Sequence, residues 1–267
     1  MPTTRALHLT DTATWWPSVL WQTTTLELVR DGVRLLVDPG IAPWEIEEAA
    51  GDGTAHILIT HADWDHVMGI GILSSSRVWA GEGSAERITS GEARASVEQE
   101  TRPYGVPYRA LELLHVDEVV PTDGSEYTIG PWRARSHPAP GHVPDGIATW
   151  LPDEDLLVVG DYLSKQEIPF IYDSAWAYRE TLDRLAELVR SHRPSNVVIG
   201  HGSPLAPDEA LAVAAEDRAY VQALIELAEG GGDVSRAGEV AYPERGGSDD
   251  ATAHRENLER ACAHVAA

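Results

Sequence analysis

Three short apolar runs in this chain end the same way. Ile57-Leu58-Ile59-Thr60 leads into His61, Leu156-Leu157-Val158-Val159-Gly160 into Asp161, and Val197-Val198-Ile199-Gly200 into His201. Apolar runs of this length, bounded by turn formers, read as buried strands. In α/β folds, ligands gather at the carboxyl ends of such strands, where loops converge and the sheet holds them rigid. The three runs therefore predict strands in both halves of the chain and a polar site along one strand edge.

The rest of the pattern fits that frame. Segment 24–38 holds two apolar stretches around Asp31-Gly32, a hairpin signal because both turn residues tolerate positive φ. Segments 55–60, 146–151, 155–160 and 196–200 read as strands. Segment 174–192 reads as a helix: Trp176, Leu182, Leu185 and Leu188 recur near helical period, and Pro194 follows its end. Segment 207–231 is a second helix, opened by Pro207 and two acids and closed by glycines. Segment 248–267 is a terminal helix, and 230–250 is the one loose connector. With no repeat and no low-complexity tract, residues 1–267 are expected to form one domain.

Charge narrows the partners. The formal net charge is −23, from 43 acidic and 20 basic residues. Such a field repels phosphate backbones, which argues against nucleic acid and for a small-molecule substrate. The single cysteine, Cys262, excludes an internal disulfide and speaks against a thiolate zinc site. No apolar run approaches a membrane span, and the first 16 residues lack a charged start followed by an apolar stretch. A cytoplasmic protein without membrane contact is expected, with its oligomeric state open.

The first strand end is crowded: His61, Asp63, Asp65 and His66 fall within six residues. A Pro/Gly-braced loop, 137–146, presents His142. The ordered set His61-Ala-Asp63-Trp-Asp65-His66, Pro140-Gly141-His142, Gly160-Asp161 and Gly200-His201-Gly202 resembles the metallo-β-lactamase superfamily, and Leu35-Leu36-Val37-Asp38-Pro39-Gly40 matches that family's early strand. The resemblance covers roughly residues 20 to 205. It implies an α/β (α+β) fold, a four-layer αββα sandwich with a two-metal site at one edge. Carried over residue by residue, it assigns one metal to His61, Asp63 and His142, the other to Asp65, His66 and His201, and makes Asp161 the bridge.

Asp63 departs from the family pattern, whose hydrolytic members carry histidine there. A carboxylate adds an oxygen donor and a negative charge. That makes the site harder and less electrophilic, and shifts preference from zinc towards iron or manganese. Asp63 is also shorter than histidine, so it either ligates or releases its site. The expected cofactor is two divalent ions, zinc first, with iron or manganese the alternative that Asp63 introduces. The resemblance implies a hydrolase that uses a metal-bound hydroxide on a small ester, thioester or lactone, with Asp65 handling the nucleophile's proton. A di-iron oxidoreductase or oxygenase on the same fold is the alternative, and a non-catalytic metal-binding protein the second.

Residues 161–180 follow Asp161 directly and are expected to wall the pocket through Tyr162, Ser164, Lys165, Phe170 and Tyr172. Lys165, the only lysine, would meet a substrate anion or simply pair with Glu167 at the surface. Trp15, Trp16 and Trp21 form an aromatic group that either packs the N-terminal edge or faces substrate. Trp64 is expected to pack under the loop. His137 is a candidate partner behind a ligand. His254 and Asn257 share one helix face, with packing the expected role.

Overall fold

The computed structural model describes residues 6–40, 42–51, 53–101, 113–247 and 249–266. The first five residues of the N-terminal stretch, and Ser248 and Ala267 of the terminal-helix segment, lie outside the described residues.

Two sheets form the middle of the molecule. The first runs β1 (Leu7–His8), β2 (Ala13–Pro17), β3 (Thr24–Arg30), β4 (Val33–Val37), β5 (His56–Ile59), β6 (Arg77–Ala80) and β7 (Glu118–Val119) in spatial order. It is antiparallel up to β4 and parallel from β4 onward. The second comprises β8 (Glu126–Ile129), β9 (Trp132–Pro138), β10 (Ile147–Leu151), β11 (Leu156–Val158) and β12 (Asn196–Val198), also neighbours in order, with only β11 and β12 parallel. The β3–β4 hairpin turns where expected, with Asp31 and Gly32 both at positive φ.

The two-residue period of a strand sorts its side chains between layers. In β5, Leu58 points into the layer between the sheets, with Leu35, Val37, Leu156, Val158 and Val198. Its neighbours Ile57 and Ile59 point the other way, onto Val67, Ile70 and Val97. The last three belong to α2 (Trp64–Ile72) and α4 (Glu92–Thr101), which cover the outer face of the first sheet with α1 (Pro43–Ala50) and α3 (Glu82–Ser90). In β11 and β12, Leu157 and Val197 face outward, onto Leu182, Leu185 and Val221. These sit on α5 (Ala175–His192) and α6 (Pro207–Glu229), which with α7 (Asp250–Ala266) cover the second sheet. The result is the four-layer αββα sandwich. Each fully buried Leu, Ile or Val contributes about 1.5–3 kcal/mol, so the strand alternation alone specifies which face meets which layer.

The expected strands are each one to three residues shorter in the structure: β5, β11 and β12 stop early because their last residues leave the ladder to carry the site, and β10 starts one residue later, after Gly146. Helix α5 starts at Ser174, whose hydroxyl accepts from Ala177 N, and stops at Arg193 with positive φ. Helices α1 to α4 and strands β2 and β6 carry no strong periodic signal and were not anticipated. No helix among the described residues is long and apolar enough to cross a membrane.

Candidate metal centre

Asp38, His61, Asp161 and His201 lie just beyond β4, β5, β11 and β12, each of which pairs in parallel with a neighbour in its sheet. His142 enters from the turn between β9 and β10. Asp63 is the N-cap of α2, and Asp65 and His66 sit in its first turn. Backbone hydrogen bonds stitch this edge: Thr24 N donates to Gly200 O (2.7 Å), Gly200 N to Gly160 O (2.7 Å), and Ile147 N to Thr60 O (2.9 Å). Two glycines are steric requirements. A Cβ on Gly200 would run into Asp161 Oδ1, and one on Gly141, at φ +122°, would strike the Tyr178 backbone.

Asp161 stands at the middle. Its Oδ2 lies 3.6 Å from His61 Nε2, 3.3 Å from His142 Nε2 and 3.2 Å from His201 Nε2, and its Oδ1 lies 3.1 Å from His66 Nε2. Asp65 Oδ2 lies 3.3 Å from His201 Nε2 and 3.6 Å from His66 Nε2. Asp63 Oδ2 lies 3.5 Å from His142 Nε2 and 3.8 Å from His61 Nε2. Two groups of side chains have ligand atoms close enough to hold one ion each: His61, His142 and Asp161, and Asp65, His66 and His201.

The far side of each imidazole decides which nitrogen faces inward. His142 Nδ1 donates to Phe170 O (2.8 Å), and His201 Nδ1 to Trp21 O (2.9 Å); a carbonyl can only accept, so the proton sits on Nδ1. Thr60 Oγ1 donates to Asp38 Oδ2 (2.5 Å) and so accepts from His61 Nδ1 (3.0 Å). His66 Nδ1 lies 3.0 Å from Asp38 Oδ2. Three rings, those of His61, His142 and His201, thus aim a lone pair on Nε2 at the centre, and His66, whose Nδ1 lies beside Asp38 without a hydrogen bond of good geometry, turns its Nε2 to the same point. Three of those nitrogens, on His61, His66 and His142, are buried without a hydrogen-bond partner, as is Asp161 Oδ1. Buried polar atoms are otherwise almost always satisfied, so this donor set fits divalent cations with nitrogen and oxygen ligands.

Without metal, His142 and His201 hold protons instead. Burial alone would lower the His142 and His201 pKa values, yet the Asp161 carboxylate, joined by Asp63 for His142 and Asp65 for His201, pushes both up to about 10. Burial would raise Asp161, but His201, His66 and His61 hold it well below the usual carboxylate range.

The sequence contains no signal for what stands behind Asp63. Its Oδ1 accepts from Arg87 Nη2 on α3 (2.9 Å). Arg87 Nη1 also donates to Asp145 Oδ1 (2.5 Å), and Asp145 Oδ2 is held by Ala62 N and Ser84 Oγ, each at 2.8 Å. Asp145 sits in Pro144-Asp145-Gly146, which reads as an ordinary turn. Thr23 Oγ1, donating to Asp65 Oδ2 (3.1 Å), was equally unreadable, because it is 42 residues away in the chain.

The centre opens into a cleft of about 500 Å³. Trp21, Trp64, Phe170 and Tyr172 give it aromatic walls, and Glu100, Glu167, Asp249 and Glu256 give it acidic ones. No lysine or arginine is among its described lining residues. Burial pushes the Glu167 carboxyl up to about 7.

Of the five expected pocket residues, the structure brings only Phe170 and Tyr172 into this wall. Tyr162 is in the core, its hydroxyl donating to Pro140 O (2.7 Å) and accepting from His142 N (3.0 Å), so it braces the His142 turn. Ser164 is buried, with Oγ donating to His201 O (3.1 Å). Lys165 points outward to Glu209 (3.3 Å), not to substrate and not to Glu167. The chain turns sharply after Asp161, with Leu163 at positive φ, which sends residues 162–165 away from the cleft before 167–172 return. Trp64 packs against the layer of Ala62, Val67 and Val97, as expected, and also lines the cleft. The tryptophans divide: Trp15 and Trp16 are tied by Nε1 to Thr24 and Glu27, while Trp21 is exposed at the cleft. His137 lies on β9 beside Gly124, away from the ligands. Asn257 takes a structural role that serves the site, bonding Ile171 N (3.0 Å) and Pro169 O (2.6 Å) on either side of Phe170.

Comparison with known proteins agrees with this geometry. Curated proteins provide no match by sequence. Among solved structures, the sec-alkylsulfatase Pisa1 from Pseudomonas sp. superimposes with a TM-score of 0.75 at 14% identity, over 98% of this chain and 50% of that one. The chain thus spans half the length of the alkylsulfatase. A metallo-beta-lactamase family protein from Thermus thermophilus matches with a TM-score of 0.67 at 20% identity, over 95% of this chain and 93% of that one. A beta-lactamase domain protein from Burkholderia ambifaria matches at 0.64 and 18% identity, over 98% and 88%. The sequence model of the metallo-beta-lactamase superfamily matches residues 19–201, more than half the chain, and with the shared fold this makes the protein a member of that superfamily.

Proposed function

We propose that this protein is a two-metal hydrolase acting on a small neutral or cationic ester, thioester or lactone. The observation that carries this reading is the set of buried, unpartnered atoms, Nε2 of His61, His66 and His142 and Oδ1 of Asp161, at the floor of an open cleft. His61, Asp63 and His142 would hold one ion and Asp65, His66 and His201 the other, with Asp161 shared between them. Ions bound there supply a Lewis acid that polarises a substrate oxygen and makes water more acidic. Asp65 takes the nucleophile's proton on its carboxylate, which Thr23 orients through Oδ2. Phe170, Tyr172, Trp21 and Trp64 exclude water and grip an apolar body. Glu167, half-buried in the cleft wall, is placed to hold a proton for the leaving group.

The acidic walls favour neutral or cationic substrates over anions. Pisa1, a sulfatase on this fold, makes a sulfate ester the natural anionic control. The di-iron oxidase reading keeps one supporting feature, the extra oxygen donor Asp63 Oδ2 facing His142 and His61. The test loads the metal-free protein with zinc and assays esters, thioesters and lactones as matched neutral, cationic and anionic sets. Two zinc ions per chain, with neutral and cationic members cleaved faster, is the expected result. Two irons per chain, an oxygen-dependent visible band and no hydrolysis would replace it with the oxidase reading. Full occupancy without turnover across the panel would leave a metal-binding scaffold.

A further inference from the structure

The charge of Asp63 does not stand alone: a cation lies behind it. Arg87 is largely buried, with 15% of its side chain exposed, and Asp145, at 2%, is buried more deeply. The guanidinium bridges the two carboxylates through separate nitrogens, Nη2 to Asp63 Oδ1 and Nη1 to Asp145 Oδ1. Asp145 is itself locked by Ala62 N and Ser84 Oγ. Ala62 lies between His61 and Asp63, so the anchor is tied to the metal loop itself. Arg87 Nε reaches Glu92 as well (2.9 Å), which leaves no direction for the guanidinium but the one it has.

We propose that Arg87, anchored by Asp145, is a counter-ion to Asp63 that lets a carboxylate take a histidine's place in the metal loop without quenching the electrophilic character of the site. This rests on the two-metal reading above. A guanidinium on Oδ1 draws electron density from the carboxylate and opposes the field that Asp63 would exert on a cation at Oδ2. Asp63 then acts as a weaker donor than a bare carboxylate, its charge partly offset by a guanidinium it shares with Asp145 and Glu92, and the drift towards hard, oxygen-preferring metals that its charge implied is reduced. Arg87 is a positioning residue with an electrostatic role, and that role has a signature. A purely structural residue, when removed, loosens metal binding. A counter-ion, when removed, tightens it, because the remaining field at the site is more negative.

The experiment measures zinc and manganese affinity by chelator competition on the full chain, for the wild type, Arg87→Met, Arg87→Lys, Asp63→Asn, and the double variant Asp63→Asn/Arg87→Gln. Arg87→Met is expected to tighten the weaker metal by about tenfold and to narrow the preference for zinc over manganese. Arg87→Lys stays within about threefold of wild type, since it keeps the charge. Asp63→Asn weakens the same metal, and adding Arg87→Gln to it restores affinity towards wild type. If Arg87→Met does not fold, the comparison of Asp63→Asn with the double variant carries the same information, because neither leaves Asp63 charged and unpaired. Weaker or unchanged binding in Arg87→Met, or no restoration in the double variant, overturns the proposal. Wild-type protein that binds no metal at all would instead overturn the two-metal reading.

Discussion

The two candidate ligand sets are alike in front and different behind. Behind His61, Asp63 and His142 stand the Thr60 hydroxyl, the Arg87 guanidinium and the Phe170 carbonyl. Behind Asp65, His66 and His201 stand the Thr23 hydroxyl, the Asp38 carboxylate and the Trp21 carbonyl. One set is backed by a cation and the other by an anion. A carboxylate behind an imidazole makes it a stronger donor, and a guanidinium behind a carboxylate makes it a weaker one. The Asp65–His66–His201 set should therefore fill first and hold its metal more tightly.

The largest expected effect removes the difference altogether. Asp161 touches all four imidazoles, so Asp161→Ala should weaken both sets. Metal content by equilibrium dialysis should drop to one ion per chain or fewer, and turnover should fall on the order of a thousandfold or more.

Acidity comes next. His142 and His201 are raised to about 10 in the metal-free chain, so at neutral pH metal must displace their protons. Affinity should climb about tenfold per pH unit for each proton released, and level off above about pH 10. Titration calorimetry in buffers of differing ionisation enthalpy counts those protons. The sign for folding is the reverse. Both groups are raised above their unfolded value, so the stability they lend the metal-free chain is full below about pH 6.5 and is lost as pH rises through about 10.

Asp38→Asn sharpens the contrast from one side. Asn tolerates the positive φ of residue 38, so the backbone is kept while the anion behind His66 is lost. Affinity for the tighter metal should fall by about 10–100-fold, with the weaker one far less affected. Equal loss at both would show that Asp38 matters only through the Thr60 loop it also holds.

Asn257→Ala is the mildest. It removes the bonds flanking Phe170, whose carbonyl fixes His142, and should cost roughly 1–3 kcal/mol in denaturant unfolding. The accompanying loss of affinity should be confined to the His142 set.

How far these features could be read beforehand follows from their spacing in the chain. The His61–His66 loop, the strand ends at Asp161 and His201 and the hairpin at Asp31-Gly32 are local: each is a run of neighbours whose types and periods state their conformation. Tyr162, Ser164 and Lys165 depart from the expected pocket wall because adjacency to Asp161 in the chain is not adjacency to the cleft. The positive φ at Leu163 separates the two. Arg87 and Asp145 carry no local signal because they reach the site from α3 and a turn, across 24 and 83 residues of chain, whereas Asn257, expected to pack, does so against the segment around Phe170.

By itself, then, the sequence determined the strand ends, the hairpin and the order of the seven candidate ligands, since apolar runs and turn chemistry act between near neighbours, while the four-layer arrangement followed from the family resemblance. Only the tertiary structure decided which charge stands behind each ligand, because a counter-ion is selected by distance in space. That choice makes Asp63, with Arg87 at 2.9 Å, a different donor from the bare carboxylate its letter suggests.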